Sequence, residues 1–328
     1  MTDDEAMARA VELAAGVRTS TSPNPWVGCV IEPGGFEGAT RPPGGPHAEI
    51  VALDAAAGRA REATLYTTLE PCSHTGRTPP CADAIVAAGV ARVVVAIEDP
   101  DPQVSGKGIA ALRAAGIEVD VGLRENEVRA LLAPYLKHRT TGRPYVVLKL
   151  AATLDGRTAA ADGSSRWITG PEARADSHRL RAESDAVIVG AGTVRADDPS
   201  LTVRHGQTPG KDPRRVVLGH APADAKVHPA LELEGDLDQI LDELGRGDVL
   251  QALVEGGATV AGAFHRAGLV DRYVIYLAPA LAGGDDGRPL LAGPGAATID
   301  DVWRGRIVDV TRLGDDLRID LEPACSPA

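Results

Sequence analysis

Two short stretches hold residues whose types and spacing could hydrolyse a substrate at a metal. "PHAEIVAL" (46–53) puts His47 two positions before Glu49, and "LEPCSHTGRTPPC" (69–81) carries two of the four cysteines, Cys72 and Cys81. His47, Cys72 and Cys81 supply three ligands of the kind zinc takes. A structural zinc site ordinarily uses four protein ligands, whereas three leave a place for water, which is the catalytic pattern. Glu49, two residues along a helix start, turns away from the metal but reaches its water, where a carboxylate can carry a proton. The competing reading is an ordinary buried group or a purely structural zinc.

The flanking sequence supplies elements to hold these residues. A helix is expected over 4–16 and a short apolar strand over 26–31. A Gly/Pro-rich loop (33–46) leads into the helix that starts near His47. "ATLYTTLE" (63–70) reads as a strand delivering Cys72. "PPCADAIVAAG" (79–89) has proline at its start and glycine at its end, as helices do. Positive helix ends near His47 and Cys81 favour thiolate over thiol. A strand over 92–98, a helix over 106–116, a strand over 117–123 and a helix over 125–138 follow. This alternation predicts a mostly parallel sheet covered by helices.

"KHRTTGRP" (137–144) is basic, polar and ends in Gly and Pro, and the domain boundary is placed there, giving residues 1–142 and 143–328. The second half restarts with "YVVLKLAATLDGR". Strands are expected over 186–194, 214–219, 250–257 and 272–279, with helices over 171–184, 236–245 and 258–268. "LVEGGATVAGAF" is a strand, a glycine turn and a helix start that could receive a phosphate. It is not the G-x-G-x-x-G fingerprint, and a turn needing glycine only for geometry explains it equally.

The chain has 328 residues, 44% hydrophobic and only 3% aromatic, so two cores of small aliphatic side chains are expected. A formal charge of −12 argues against nucleic-acid binding. No signal peptide or membrane-length apolar run is seen, so the expected compartment is the cytoplasm, where paired cysteines signal metal or catalysis rather than disulfides. Cys29, inside an apolar strand, reads as core, and Cys325 as an inert tail thiol.

H-x-E followed by P-C and a second cysteine is the signature of zinc deaminases, with a longer gap here than their usual two residues. "HAEIVAL…ATLYTTLEPCSHTGRTPPCADAI…AGVARVVVAIEDPDPQVSGKG" closely resembles the bifunctional riboflavin-biosynthesis deaminase–reductases, whose zinc loop has this longer form. The resemblance continues through "LKLAATLDGRTA", "SRWITGPEARADSHRLRAESDAVIVGAGTVRADDPSLTVR" and "LVEGGATVAGAFHRAGLVDRYVIYLAP", covering nearly the whole chain. It implies an N-terminal cytidine-deaminase-like three-layer domain and a C-terminal dihydrofolate-reductase-like α/β domain. The implied cofactors are zinc and NADPH. The implied substrate is a small pyrimidine ribosyl phosphate, first deaminated and then reduced from ribosyl to ribityl.

By that resemblance His47, Cys72 and Cys81 ligate zinc and Glu49 is catalytic, while Asn24, His74 and Arg77 touch the deaminase substrate. Ala151, Trp167, Thr193, Asp197 and the run Gly257, Ala258, Thr259, Val260, Ala261, Gly262 and Ala263 face the dinucleotide. Lys149, Ser165, Arg181, Leu201, Arg204 and Glu255 face the second substrate. A homo-oligomer, dimer or tetramer, is implied, with neither nucleic acid nor membrane as partner. Two departures stand out. Relatives often carry Gly-Tyr-His a few residues before H-A-E, where this chain has "GATRPPGGPHAE", and the segment between Leu218 and Leu250 is shorter than in many of them. The alternative is a nucleobase or nucleic-acid deaminase with a non-catalytic C-terminal module.

Overall fold

A computed structural model describes residues 1–73, 79–102, 104–204 and 212–324. The chain divides into two compact units, Met1–Gly142 and Arg143–Ala328. The first contains α1 (Asp3–Gly16), β1 (Gly28–Glu32), β2 (Phe36–Ala39), α2 (Ala48–Ala56), β3 (Thr64–Leu69), α3 (Cys81–Ala88), β4 (Arg92–Ile97), α4 (Lys107–Ala114), β5 (Glu118–Val121) and α5 (Glu125–Thr141). Its sheet has the order β2-β1-β3-β4-β5. A Cβ at Gly28 would collide with the Ala10 carbonyl of α1, and one at Gly38, paired with Cys29, would collide with the Ala48 carbonyl of α2. Successive residues of a strand face opposite ways, so α1 and α2 lie on opposite faces. This is the three-layer, cytidine-deaminase-like arrangement.

The sheet is more mixed than the alternation predicts. β3, β4 and β5 are parallel, but β1 runs antiparallel to both β2 and β3. The cause is β2, which lies inside the expected 33–46 loop. "EPGGF" allows a tight return, because Gly35 takes a φ of +61° at no cost. The boundary region differs as well. Residues 137–141 are not linker but the last turn of α5. There Thr140 and Thr141 donate their hydroxyls to the Leu136 and Lys137 carbonyls, and Gly142 ends the helix at a φ of +74°. Arg143 already belongs to the second unit, pairing with Asp238 and Asp242.

The second unit contains β6 (Tyr145–Thr153), β7 (Arg157–Ala159), α6 (Pro171–Ala182), β8 (Ala186–Gly190), α7 (Ala191–Asp197), β9 (Arg214–Leu218), β10 (Leu231–Leu233), α8 (Leu237–Arg246), β11 (Gln251–Val254), α9 (Ala258–Arg266), β12 (Arg272–Ala278), β13 (Arg288–Pro289), β14 (Gly305–Leu313) and β15 (Asp316–Pro323). Eight strands form one sheet in the order β10-β9-β8-β11-β6-β12-β15-β14. It is parallel from β10 to β12 and antiparallel through β15 and β14. One core packs Ile240, Leu241 and Leu244 of α8 and Phe264 of α9 on Leu148, Ile188 and Val254. The other packs Ala173 and Leu180 of α6 and Val194 of α7 on Val187, Leu253 and Tyr276. The expected strand 186–194 stops at Gly190, because Ala191 and Val194 are the buried stripe of α7 rather than a strand face.

Among the described residues, no helix is long and apolar enough to cross a membrane.

Candidate active sites

In the first unit, β3 and the N-termini of α2 and α3 converge. His47 is the N-cap of α2, Glu49 lies in its first turn, and Cys81 opens α3. The ligand atoms of His47, Cys72 and Cys81 all lie within 4.8 Å of one another. His47 Nδ1 is 3.6 Å from Cys72 Sγ and 3.3 Å from Cys81 Sγ. Tetrahedral zinc, with bonds near 2.3 Å to sulfur and 2.0–2.1 Å to nitrogen, requires S···N separations of about 3.6 Å. The three residues therefore fit the ion, and no fourth His, Cys, Asp or Glu joins the group among the described residues.

The backbone holds this set. Cys72 Sγ accepts from the Cys81 N–H (3.4 Å), and the Cys72 carbonyl accepts from the Ala82 N–H (3.1 Å). The Cys72 thiol is held well below its ordinary range, first because the Cys81 thiol donates to it and then because His47 does. Cys81 moves the opposite way, through that same bond and burial. Contact with Cys72 raises His47. Glu49 is 4% exposed, and burial lifts its carboxyl to about 7. A carboxyl with its pKa near neutrality can both take and return a proton.

Asn24 is half-buried, in a turn where its N–H donates to the Thr21 carbonyl (2.8 Å). His74 and Arg77 lie outside the described residues, as does Cys325. Cys29 is fully buried in β1. In the departing segment before H-A-E, Thr40 is buried, and its hydroxyl accepts from the Val27 N–H (3.1 Å). Arg41 beside it is exposed.

In the second unit Lys149 and Ala151 lie on β6, Thr193 lies in α7 just past β8, and Glu255 and Gly257 follow β11. Arg181 of α6 forms a two-pronged bond to Glu255 (2.5 and 2.9 Å) and donates its third nitrogen to the Thr202 carbonyl. Lys149 Nζ lies 3.9 Å from Glu255. Burial acts to raise the Glu255 carboxyl, but Arg181 and Lys149 outweigh it and hold it at about 2. Burial lowers Lys149. The Arg181 fork is thus engaged by Glu255. Arg204 is exposed, its guanidinium bonded to Ser200 Oγ (3.2 Å). Leu201 is buried, at a φ of +52°.

Trp167 is 72% exposed beneath the Arg174 guanidinium. With Ser165, Thr153, Arg157 and Ala282 it lines a cavity of about 200 Å³. Ala151 is half-buried on β6, and Asp197 is exposed at the end of α7, its carbonyl accepting from Arg166. Thr193 Oγ1 accepts from the Gly257 N–H (3.1 Å). Gly257 caps α9 without a side-chain bond, leaving first-turn N–H groups for a phosphate. Burial differs along the expected run to Ala263. Ala261 is fully buried, and a Cβ at Gly262 would collide with the Ala292 carbonyl. Gly257 and Thr259 are exposed at the start of the helix, and Ala258, Val260 and Ala263 are half-buried.

Two buried residues escape the sequence reading. His178 is 6% exposed, and its Nδ1 accepts from the Arg204 N–H (3.0 Å). Its place one turn before Arg181 on α6 was the available signal. Glu70, two residues before Cys72, is 3% exposed.

Comparison with known proteins agrees with both halves. Residues 144–319 match the RibD C-terminal domain, and residues 1–97 match the cytidine and deoxycytidylate deaminase zinc-binding region. Riboflavin biosynthesis protein RibD of Escherichia coli is 41% identical, over 98% of this chain and 99% of that protein. The structure of Acinetobacter baumannii RibD (form 1) superposes with a TM-score of 0.93 at 41% identity, covering 98% of this chain and 99% of that one. A Thermotoga maritima diaminohydroxyphosphoribosylaminopyrimidine deaminase/5-amino-6-(5-phosphoribosylamino)uracil reductase superposes with a TM-score of 0.87 at 33% identity, covering 98% of each chain. With both catalytic halves present and in order, the chain belongs to the RibD family, the bifunctional deaminase–reductases of riboflavin biosynthesis.

Proposed function

We propose that residues 1–142 deaminate 2,5-diamino-6-(5-phosphoribosylamino)pyrimidin-4(3H)-one and that residues 143–328 reduce the ribosyl group of 5-amino-6-(5-phosphoribosylamino)uracil to ribityl with NADPH. The observation that carries the first half is the three-ligand cluster with a buried carboxyl beside it. His47, Cys72 and Cys81 hold zinc, which when bound lowers the pKa of water toward neutrality. Glu49 takes the proton of the attacking water on a carboxylate oxygen and gives it to the departing amino nitrogen. Asn24, His74 and Arg77 bind the pyrimidine and its ribosyl phosphate.

In the second half, Trp167, Thr193, Ala151, Asp197 and the first turn of α9 bind NADPH, which supplies the hydride. Lys149, Ser165, Leu201 and Glu255 orient the sugar, with Arg181 holding Glu255 in place. Arg204 grips the phosphate, since a planar fork matches phosphate oxygens. The enzyme works in the cytoplasm as a homo-oligomer, without nucleic acid. Supplying the diaminopyrimidinone with NADPH and following ammonia and NADPH oxidation separately tests this reading. Ammonia without nicotinamide oxidation would overturn the second half, and the reverse the first. Retardation of tRNA or single-stranded DNA at low salt would favour the nucleic-acid deaminase instead.

A further inference from the structure

The carboxylate of Glu70 is shut away from water, and its bonding partners are backbone. Oε1 accepts from the N–H groups of Gly108 (2.8 Å) and Ile109 (3.1 Å), and Oε2 from those of Gly106 (3.0 Å) and Asp99 (3.2 Å). Three of the four belong to the N-terminal end of α4, where unpaired N–H groups and the helix dipole favour an anion. The next residue is clamped to the same helix end. A Cβ at Gly108 would collide with the Pro71 carbonyl oxygen, so Pro71 is seated on the bare Cα of α4. The residue after that is Cys72, whose sulfur and carbonyl are held from the other side by the N–H groups of Cys81 and Ala82. Residues 70–72 are thus pinned between α4 and α3, and the pin at the α4 end is one carboxylate.

Burying a carboxylate is costly unless its oxygens are satisfied. An apolar residue would close the end of β3 without that cost, but it would leave the exit of β3 free to slide along α4. A metal site tolerates only about 0.2 Å of error in ligand distance. We propose that Glu70 is a positioning residue for the metal centre: by docking the exit of β3 onto the N-terminus of α4, it fixes where Cys72 Sγ stands relative to His47 and Cys81. This rests on the reading that those three residues hold zinc.

The test uses the full chain loaded with zinc and, separately, with cobalt(II), whose thiolate charge-transfer and ligand-field bands report the geometry at the sulfurs. Glu70→Gln removes the charge and turns an NH2 group toward two of the backbone donors. Gly108→Ala keeps the carboxylate but pushes hard on Pro71 and, less closely, on Glu70 Oε1. Groups supporting a metal ligand typically carry ten- to hundredfold in affinity. Both variants should therefore surrender zinc to a chromophoric chelator at about ten- to hundredfold lower chelator concentration, with shifted cobalt bands. Reduction of the pre-deaminated substrate, in the other unit, should be unchanged. Unaltered bands and chelator resistance in both variants would overturn the proposal, whatever their melting temperatures. If Glu70→Gln yields no folded first unit, Gly108→Ala decides by the same two readouts. Wild-type protein that takes up no zinc would instead overturn the metal-site reading itself.

Discussion

In the first unit, the three ligand atoms and the buried Glu49 sit where β3 meets two helix ends. In the second, the candidate residues are spread from Lys149 to Ala263, and several of them, Trp167 and Arg204 among them, stand in solvent. A metal needs few ligands at fixed distances, so its residues must be buried and locked. A dinucleotide and a sugar phosphate are long and polar, so contacts along an open surface suit them, and the same unit holds one buried knot, Arg181–Glu255–Lys149. The difference predicts that single changes in the first unit act all-or-none on chemistry, while those in the second grade binding.

The largest expected effect tests that contrast directly. Glu49→Gln should keep zinc and lose deamination by at least about a hundredfold, the ordinary contribution of a general acid–base group. Reduction of the pre-deaminated substrate should continue. Near-normal ammonia release would show that the buried carboxyl is not the proton carrier.

The same contrast explains what was legible in the sequence. His47, Cys72 and Cys81 announce themselves because few other tasks need those residue types together. Helices with clean ends, such as α3 between Pro80 and Gly89, read easily. β2 did not, because a four-residue strand in a Gly/Pro-rich stretch looks like loop until its partner β1 is known. β14 was missed because it is exposed along most of its length, and β15 because the face it buries carries Asp316, Arg318 and Asp320 rather than apolar side chains. At the second site the residue types were visible but their partners were not. Nothing in "RLRAES" says that Arg181 turns inward to Glu255 while Arg204 does not.

The two units should also part in their response to pH. Asp99 of the first unit is 4% exposed, and burial raises its carboxyl to about 6, against an ordinary 3.8. The native unit then holds a proton that the unfolded chain has released between about pH 4 and 6. Its stability from this group is complete below that window and falls as pH rises through 6. Glu255, depressed to about 2 from 4.5, runs the other way: its contribution is present above pH 4.5 and lost as pH falls toward 2. A shift of about two units sets a ceiling of roughly 3 kcal/mol. Asp99→Asn should therefore gain on wild type as pH rises from 4 to 7, read as a growing difference between their melting temperatures. A constant difference across that range would remove Asp99 as the cause.

Within the second unit, the exposed arginine is expected to grade binding. A charge-assisted hydrogen bond contributes about 1.5–3 kcal/mol. Arg204→Ala should accordingly raise the reductase KM for the sugar phosphate about ten- to hundredfold, with the KM for NADPH moving much less. Arg181→Ala should not copy it. It strands Glu255 as a buried charge, and breaking such a pair costs about 3–5 kcal/mol, so lowered stability of the second unit should dominate. Equal KM effects with unchanged melting would mean that both arginines grip substrate after all. A rise in the NADPH constant, with NADH better used, would mean that they read the nucleotide's 2′-phosphate.

The smallest effect separates the residue that touches phosphate from the one that aims it. His178 Nδ1 accepts from the Arg204 N–H, so the proton of the neutral ring sits on Nε2, and the imidazole fixes the backbone from which Arg204 extends. A neutral hydrogen bond contributes about 0.5–1.5 kcal/mol, roughly two- to tenfold in an equilibrium constant. His178→Ala should raise the KM for the sugar phosphate by that factor, leaving the NADPH constant in place. The part of the His178 effect that runs through Arg204 should not add to the Arg204 change. Placed in the Arg204→Ala background, His178→Ala should produce little further change, since residues in contact share their effect rather than summing it. Full additivity in the double variant would show that His178 meets the substrate itself, and that the open surface of the second unit conceals a second buried contact of the kind found in the first.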